Sequence, residues 1–134
     1  MFSHVTVGTN NLARAAAFYD AILLPIGLRR RQVVPDGGPE AACWVSPNAK
    51  LPRFYVYMPF NCEAATAGNG SMVAFLAPNP EGVRKAYFAG LEAGGKDEGP
   101  PGERINYGVG YYGAYLRDPD GNKVHIAHRG DLSE

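Results

Sequence analysis

The sequence predicts an α+β fold built from two βαβββ modules, and three observations lead to that prediction. Residues 3–27 align without gaps with residues 71–95, at an offset of 68 residues. Seven of these 25 positions are identical, where ordinary composition would give roughly two. In each segment a strand-like run precedes an amphipathic helical pattern, and further strand-like runs follow the helix. An internal repeat of this kind is typical of a duplicated structural unit.

The length of 134 residues is that of one domain. We therefore predict a single domain over residues 1–134, with helices on the outside of the sheet. Its first module covers about residues 1–60 and its second about residues 71–130. The segment 61–70, "NCEAATAGNG", is predicted to link them.

Both predicted helices begin at an asparagine. Asn11 and Asn79 suit the N-cap position because their side-chain oxygen can accept a backbone N–H that has no partner in the helix. Pro80 follows at the first helical position, where the missing N–H costs nothing. Gly27 lies just past the end of the first pattern. The apolar residues at helical spacing are Leu12, Ala15, Tyr19, Ile22 and Leu23 in the first module and Val83, Ala86, Tyr87 and Leu91 in the second.

The strands follow the helices in both modules. Three are predicted in the first module, in "GLRRRQVV", "AACWVS" and "RFYVYMPF". In the second module "YYGAYLR" and "KVHIAH" are clear and are joined by the turn "DPDGN". A third strand between Gly95 and Tyr107 is obscured by glycine and proline.

Charge and cysteine content exclude several classes of function. Thirteen basic and 13 acidic residues cancel, so nucleic acid and membrane partners are not expected. The short run Arg29–Arg31 is interpreted as the solvated side of a strand or turn. Cys43 and Cys62 lack the spacing of a zinc site or a disulfide framework. No apolar segment is long enough to span a bilayer, and we expect a cytoplasmic protein.

Two histidines are predicted to lie on the same face of the sheet. Alternation along a strand places Val5 on one face of the first strand and His4 on the other. In the last strand His125 likewise lies opposite the apolar pair Val124 and Ile126. Both imidazoles therefore point away from the helices. The offset of 68 residues relates His125 to Tyr57 and His4 to Met72.

The chain resembles the vicinal oxygen chelate superfamily, which includes glyoxalase I, extradiol dioxygenases and bleomycin-resistance proteins. The resemblance lies in "HVTVGTNNLARAAAFYDAIL", "GNGSMVAFLAPNPEGVRKAYFAGLEAGG" and "YYGAYLRDPDGNKVHIAH". It implies paired modules that form a U-shaped mixed sheet around a central cavity, and it implies a homodimer.

In metal-dependent relatives, four equivalent strand positions hold the metal ligands. The resemblance places these positions at His4, Tyr57 (or Tyr55 if the register shifts), Met72 and His125. Only the two histidines, His4 and His125, are usual ligands of Zn, Ni, Mn or Fe. No cofactor is therefore certain, and one divalent metal of this group remains an alternative.

Aromatic residues are candidates to line the cavity and bind a small, partly planar molecule. Alternation places Tyr111 and Tyr115 on one face and the more apolar Tyr112, Ala114 and Leu116 on the other. Arg104 and Arg117 are candidates to hold an anionic group. The predicted ligand-binding residues are Trp44, Tyr55, Tyr57, Met72, Tyr107, Tyr111 and Tyr115.

Two hypotheses for the function follow. In the first, the protein binds a small molecule in the tyrosine-lined cavity without catalysis, with a degraded metal site. In the second, it is a metal-dependent lyase, isomerase or dioxygenase in which His4 and His125 hold a cation that polarises vicinal oxygens of the substrate. A third version makes either histidine a metal-free general base.

Overall fold

Two four-stranded mixed sheets and two helices make up the fold in the computed structural model, which describes residues 1–132. The last two residues of the predicted domain, 133 and 134, lie outside the described residues. Module 1 comprises β1 (His4–Gly8), α1 (Leu12–Leu23), β2 (Arg29–Arg31), β3 (Ala41–Val45) and β4 (Arg53–Tyr57). Module 2 comprises β5 (Val73–Leu76), α2 (Pro80–Glu92), β6 (Lys96–Glu103), β7 (Tyr111–Arg117) and β8 (Lys123–Arg129).

The two sheets have the same topology. Their strand orders are β1-β4-β3-β2 and β5-β8-β7-β6. In both sheets the first strand of the module pairs in parallel with the last, and the other pairs are antiparallel. The predicted α+β fold of two βαβββ modules is confirmed. The obscured third strand of module 2 is β6, Lys96–Glu103.

The asparagine caps are confirmed. Asn11 Oδ1 accepts a hydrogen bond from the backbone N–H of Arg14 at 3.0 Å, and Asn79 Oδ1 accepts one from Gly82 at 2.8 Å. Each cap satisfies one of the N–H groups that a helix leaves unpaired at its start. Gly27 adopts a φ of 97°, which L-residues with a side chain rarely do, and the chain turns there towards β2.

The core lies between the helices and one face of each sheet. Ala114 and Leu116 of β7 are fully buried there, and Tyr112 packs against the same core. The predicted facing of β7 is therefore confirmed. Trp44 of β3 is also fully buried on this side, where its ring centroid lies 5.7 Å from that of Tyr19.

The turn "DPDGN" connects the modules. Asp118 is buried, and its Oδ2 accepts a hydrogen bond from the hydroxyl of Tyr19 on α1 at 2.7 Å. Asp120 accepts hydrogen bonds from the hydroxyl of Thr9 and from Arg14 Nη2, the latter at 3.0 Å. This turn of module 2 is thus hydrogen bonded to the residues around the start of α1 and to Tyr19 in the middle of that helix.

Candidate functional site

The face of each sheet that is turned away from the helices is called here the open face. Alternation and the strand register decide which side chains it carries. On module 1 they include His4, Thr6, Arg53, Tyr55 and Tyr57, all of which line one cavity. On module 2 they include Met72, Tyr111, Tyr115, Lys123 and His125.

The register shows which residues of the two modules correspond. Thr6 is the strand partner of Tyr55, and Ala74 is the partner of His125. The residue numbers of Thr6 and Ala74 differ by 68, which is the repeat offset, but those of Tyr55 and His125 differ by 70. The counterpart of His125 is therefore Tyr55 and not Tyr57, because the two modules differ by two residues between their first and last strands.

His125 lies against two tyrosine rings. Its ring stacks on Tyr115 with a centroid distance of 4.0 Å and an interplanar angle of 13°. The ring of Tyr111 is also nearly parallel to it, with a centroid distance of 5.9 Å. Gly113, midway between the two tyrosines on β7, makes room for the imidazole, since a Cβ there would lie 2.6 Å from His125 Cε1. His125 is thus buried against two half-buried tyrosines, of which Tyr115 stacks on its ring at close range.

Both nitrogens of the His125 ring are hydrogen bonded. Nδ1 lies 2.9 Å from the carbonyl oxygen of Ala114, and since a carbonyl can only accept, Nδ1 carries the proton. Nε2 of the neutral ring then accepts from the hydroxyl of Tyr111 at 2.8 Å. Burial lowers the pKa of His125, and the nearby charges of Arg104 and Lys123 act in the same direction. The ring is therefore held neutral, in one tautomer.

The tyrosine wall, formed by Tyr107, Tyr111 and Tyr115, stands beside a cavity of about 420 Å³. The rings of Tyr107 and Tyr111 meet edge to face at 5.2 Å. Tyr115 lies between two cations, because Arg104 Cζ is 5.7 Å and Lys123 Nζ is 5.2 Å from its ring centroid. The residues that line the cavity are Met72, Glu98, Arg104, Asn106, Tyr107, Tyr115 and Lys123.

Arg104 carries an unsatisfied donor at this cavity. Its Nη2 donates to the carbonyl of Pro100 at 2.7 Å, but its Nε is buried without a hydrogen-bond partner. Among residues 1–132 it is the one buried side-chain nitrogen or oxygen in that state. A buried polar group without a partner costs free energy, so a ligand oxygen that reached it would remove that cost.

The hydroxyls of Tyr111 and Tyr115 stay protonated at neutral pH. Burial, together with the hydroxyl of Tyr107, raises the pKa of Tyr115 to about 12. Burial also raises the pKa of Tyr111, against the opposing effect of Arg129. These groups are therefore hydrogen-bond donors rather than phenolates.

A larger cavity of about 760 Å³ lies on the open face of module 1. His4 is exposed there, and its ring meets Tyr55 edge to face at 5.7 Å. Tyr55 and Tyr57 both line this cavity, whereas Trp44 belongs to the core on the opposite side of the sheet. His4 lines this larger cavity, whereas His125 lines neither it nor the cavity beside the tyrosine wall.

Comparisons with known proteins agree with this geometry. The family model of the Glyoxalase/Bleomycin resistance protein/Dioxygenase superfamily matches residues 1–126. The chain belongs to this superfamily. A glyoxalase/bleomycin resistance protein from Albidiferax ferrireducens T118 is 41% identical, with a TM-score of 0.79 over 96% of this chain and 98% of that chain.

Two more distant superfamily structures share the fold. Lactoylglutathione lyase from Agrobacterium tumefaciens is 18% identical, with a TM-score of 0.63 over 98% of this chain and 95% of that chain. Glyoxalase I from Zea mays is 24% identical, with a TM-score of 0.71 over 97% of this chain and 46% of that chain. No curated protein matches the chain. None of the described helices is long and apolar enough to cross a membrane.

The metal-ligand positions of the superfamily do not fit a divalent cation here. They fall on His4, Tyr55, Met72 and His125 once the register is taken from the strand pairing. The thioether of Met72 is a soft, neutral donor, and both nitrogens of His125 are already engaged. Within residues 1–132 no three His, Cys, Asp or Glu side chains are grouped to hold a metal ion.

Some site residues were not evident from the sequence. Gly113 provides the space for His125, and no sequence pattern indicated that role. Lys123 was not recognised from the sequence as a neighbour of Tyr115. Arg117, a candidate for anion binding, pairs with Glu98 at 3.0 Å, whereas Arg104 lines the cavity beside the tyrosine wall. The pairing of β7 with β8 brings Gly113 and Tyr115 next to His125 and Lys123, and the pairing of β6 with β7 brings Glu98 next to Arg117.

Proposed function

We propose that this superfamily member binds a small, partly aromatic molecule at the tyrosine wall, and that no metal ion takes part. One observation carries the proposal. His125, the imidazole on this face, is buried against Tyr111 and Tyr115 with both ring nitrogens hydrogen bonded. It supports the wall rather than offering a lone pair to a cation or a substrate.

The chemistry of the cavity suits such a ligand. The exposed ring of Tyr107 and the half-buried ring of Tyr115 line the cavity and offer surfaces on which a planar group can pack. Arg104 and Lys123 lie beside them and favour an oxygen-bearing or anionic substituent, because both are cations. Arg104 has a hydrogen bond from Nη2 to the carbonyl of Pro100, and a guanidinium has further N–H donors for that substituent. Met72, 45% exposed, supplies an adaptable apolar contact at the rim.

The proposal is tested with 2-naphthoate, a planar aromatic carboxylate. Nuclear magnetic resonance titration should show shift changes centred on Tyr107, Tyr115 and Arg104, with the same affinity in EDTA and in Zn²⁺. Tyr115→Leu should weaken binding by at least about tenfold, which is roughly 1.4 kcal/mol. The matched control is Phe88→Leu, which alters an exposed aromatic side chain on α2. Binding that requires the metal, or that is lost equally in both variants, contradicts the proposal.

The second candidate is a divalent-metal-dependent lyase, isomerase or dioxygenase acting on vicinal oxygens through His4 and His125. The exposure of His4 in the larger cavity favours it, since only Nδ1 of that ring has a hydrogen-bond partner within the described part of the chain, the hydroxyl of Ser3 at 3.0 Å. Elemental analysis of protein purified without a histidine tag distinguishes the two candidates. About one divalent ion per subunit would support the enzyme.

A further inference from the structure

A cavity of about 390 Å³ on module 1 is lined by five cations. This arginine cavity is formed by Arg29, Arg30, Arg31, Lys50 and Arg53, together with Val45 and Ala49. No carboxylate lines it. The whole chain has no net charge, so this concentration of one sign is local. A cleft lined by one sign of charge attracts ligands of the opposite sign.

The strand register explains why three of the arginines converge. Arg29 pairs with Val45 on β3, which in turn pairs with Arg53 on β4. Partners across a sheet point to the same face, so Arg29 and Arg53 both stand on the open face, two strands or roughly 10 Å apart. Arg31 joins them from the next row, where it pairs with Cys43.

Arg30, between them, points to the opposite face. Its Nε donates to Asp20 at 3.0 Å, and its guanidinium lies 5.2 Å from the ring centroid of Trp44. Charges on β2 would by themselves protect an edge strand from aberrant pairing. Arg53 lies on the interior strand β4, and Lys50 lies in the loop before it. Protection of the edge strand does not explain why these two residues share a cavity with Arg29 and Arg31.

The converging cations are uncompensated. Within residues 1–132 no ion pair involves Arg29, Arg31, Lys50 or Arg53. Arg53 is nevertheless held in place, because its Nε donates to the carbonyl of Lys50 at 3.1 Å and its Nη1 to the hydroxyl of Tyr55 at 3.4 Å. A guanidinium has five N–H donors, so most of those of Arg53 remain for a ligand.

The neighbouring cavity indicates what else the ligand carries. Arg31 and Arg53 line the arginine cavity and also the larger cavity of about 760 Å³ that contains Tyr55 and Tyr57. A group bound between these two arginines therefore has apolar and aromatic surface next to it. Asp36 lines the larger cavity as well, which disfavours a second anionic group at that end.

We propose that the open face of module 1 binds a small organic phosphate, with the phosphate group held by Arg29, Arg31 and Arg53 and the organic part lying against Tyr55 and Tyr57. Planar guanidinium groups match the oxygens of phosphate and bind them in pairs of hydrogen bonds. This site lies on the other module from the tyrosine wall and does not depend on the function proposed for that wall.

Calorimetric titration with phenyl phosphate tests the site. Arg29→Gln and Arg53→Gln should each weaken binding by at least about tenfold, or roughly 1.4 kcal/mol. Arg84→Gln is the matched control, because Arg84 is an exposed arginine on α2 whose guanidinium lies over Tyr112. Circular dichroism verifies that each variant is folded. Equal weakening in all three variants, or no binding to the wild type, overturns the proposal.

Three further ligands test the chemical class. Inorganic phosphate should bind more weakly than phenyl phosphate, and Tyr57→Leu should abolish that difference if the ring lies against Tyr57. Benzoate, which has one charge and two oxygens, should bind more weakly than phenyl phosphate; equal affinity overturns the assignment to phosphate. A single-stranded oligonucleotide that binds through Arg29 and Arg53 while phenyl phosphate does not would replace the small ligand with a nucleic acid.

Discussion

Replacement of Asp118 by alanine is predicted to weaken the connection between the modules severely. The Asp118 carboxylate is 2% exposed and accepts four hydrogen bonds. Two come from side chains, the Tyr19 hydroxyl at 2.7 Å and Asn122 Nδ2 at 2.8 Å. The other two come from the backbone N–H groups of Asp120 and Asn122, each at 2.9 Å. Alanine accepts none of them.

The magnitude follows from the donors that are left without a partner. Tyr19 is fully buried and Asn122 is 6% exposed, so water cannot easily replace the carboxylate. Each buried donor without a hydrogen-bond partner costs about 1–3 kcal/mol. The Tyr19 hydroxyl and the Asn122 side chain together should therefore reduce the free energy of unfolding by about 2–6 kcal/mol. Urea denaturation followed by circular dichroism measures this loss.

A double-mutant cycle makes the prediction sharper. In the wild type, Tyr19→Phe removes a hydrogen bond to a charged group and should cost about 1.5–3 kcal/mol. In the Asp118→Ala background the same change removes a buried hydroxyl that has lost its partner, so it should raise the free energy of unfolding. The control is Glu81→Ala, which breaks an exposed pair with Lys85 and should cost less than about 0.5 kcal/mol. The reasoning is refuted if Tyr19→Phe has the same effect in both backgrounds.

Three other predictions concern the stack, its packing and the assembly. Burial lowers the pKa of His125 below its ordinary value of 6.5. Below about pH 6.5 the unfolded chain therefore binds this proton more readily than the folded chain, and the free energy of unfolding should fall as the pH drops. Urea titrations at pH 7.5 and 5.5 should show a smaller difference for His125→Phe than for the wild type. Gly113→Ala places a Cβ 2.6 Å from His125 Cε1 and should cost about 1–3 kcal/mol, whereas Gly102→Ala, whose new Cβ is 3.7 Å from its nearest neighbour, should be tolerated. We also predict a homodimer, because each four-stranded sheet ends in edge strands that need covering; a monomer in sedimentation at micromolar concentration would contradict this.

Local chemistry was enough to predict the helices and the facing of the strands. The caps at Asn11 and Asn79 and the apolar stripes of α1 and α2 depend on residues within a few positions of one another. Strand facing depends only on alternation, which is why the two faces of β7 were predicted correctly. The obscured strand β6 could not be delimited, because its glycines and prolines lack an alternating pattern and its register against β7 is irregular.

Pairing between strands could not be derived from the repeat alone. The offset of 68 holds from β1 to β5 but becomes 70 from β4 to β8. A shift of two residues keeps every side chain on the same face, whereas a shift of one would reverse it. The face predicted for Tyr55, Tyr57 and His125 is therefore correct despite the wrong offset. The predicted correspondence of His125 with Tyr57 is wrong, because it depends on the offset itself.

The chemistry of His125 depends on partners that no local pattern specifies. Its facing follows from alternation on β8, yet facing alone leaves a ligand, a base and a structural imidazole equally open. The choice is made by the carbonyl of Ala114 and the hydroxyl of Tyr111, which lie 11 and 14 positions away in sequence. Both belong to β7, and the space for the ring comes from Gly113 on the same strand. The register of β7 against β8 therefore determines the partners of this imidazole, and here it gives both ring nitrogens a hydrogen bond within the protein.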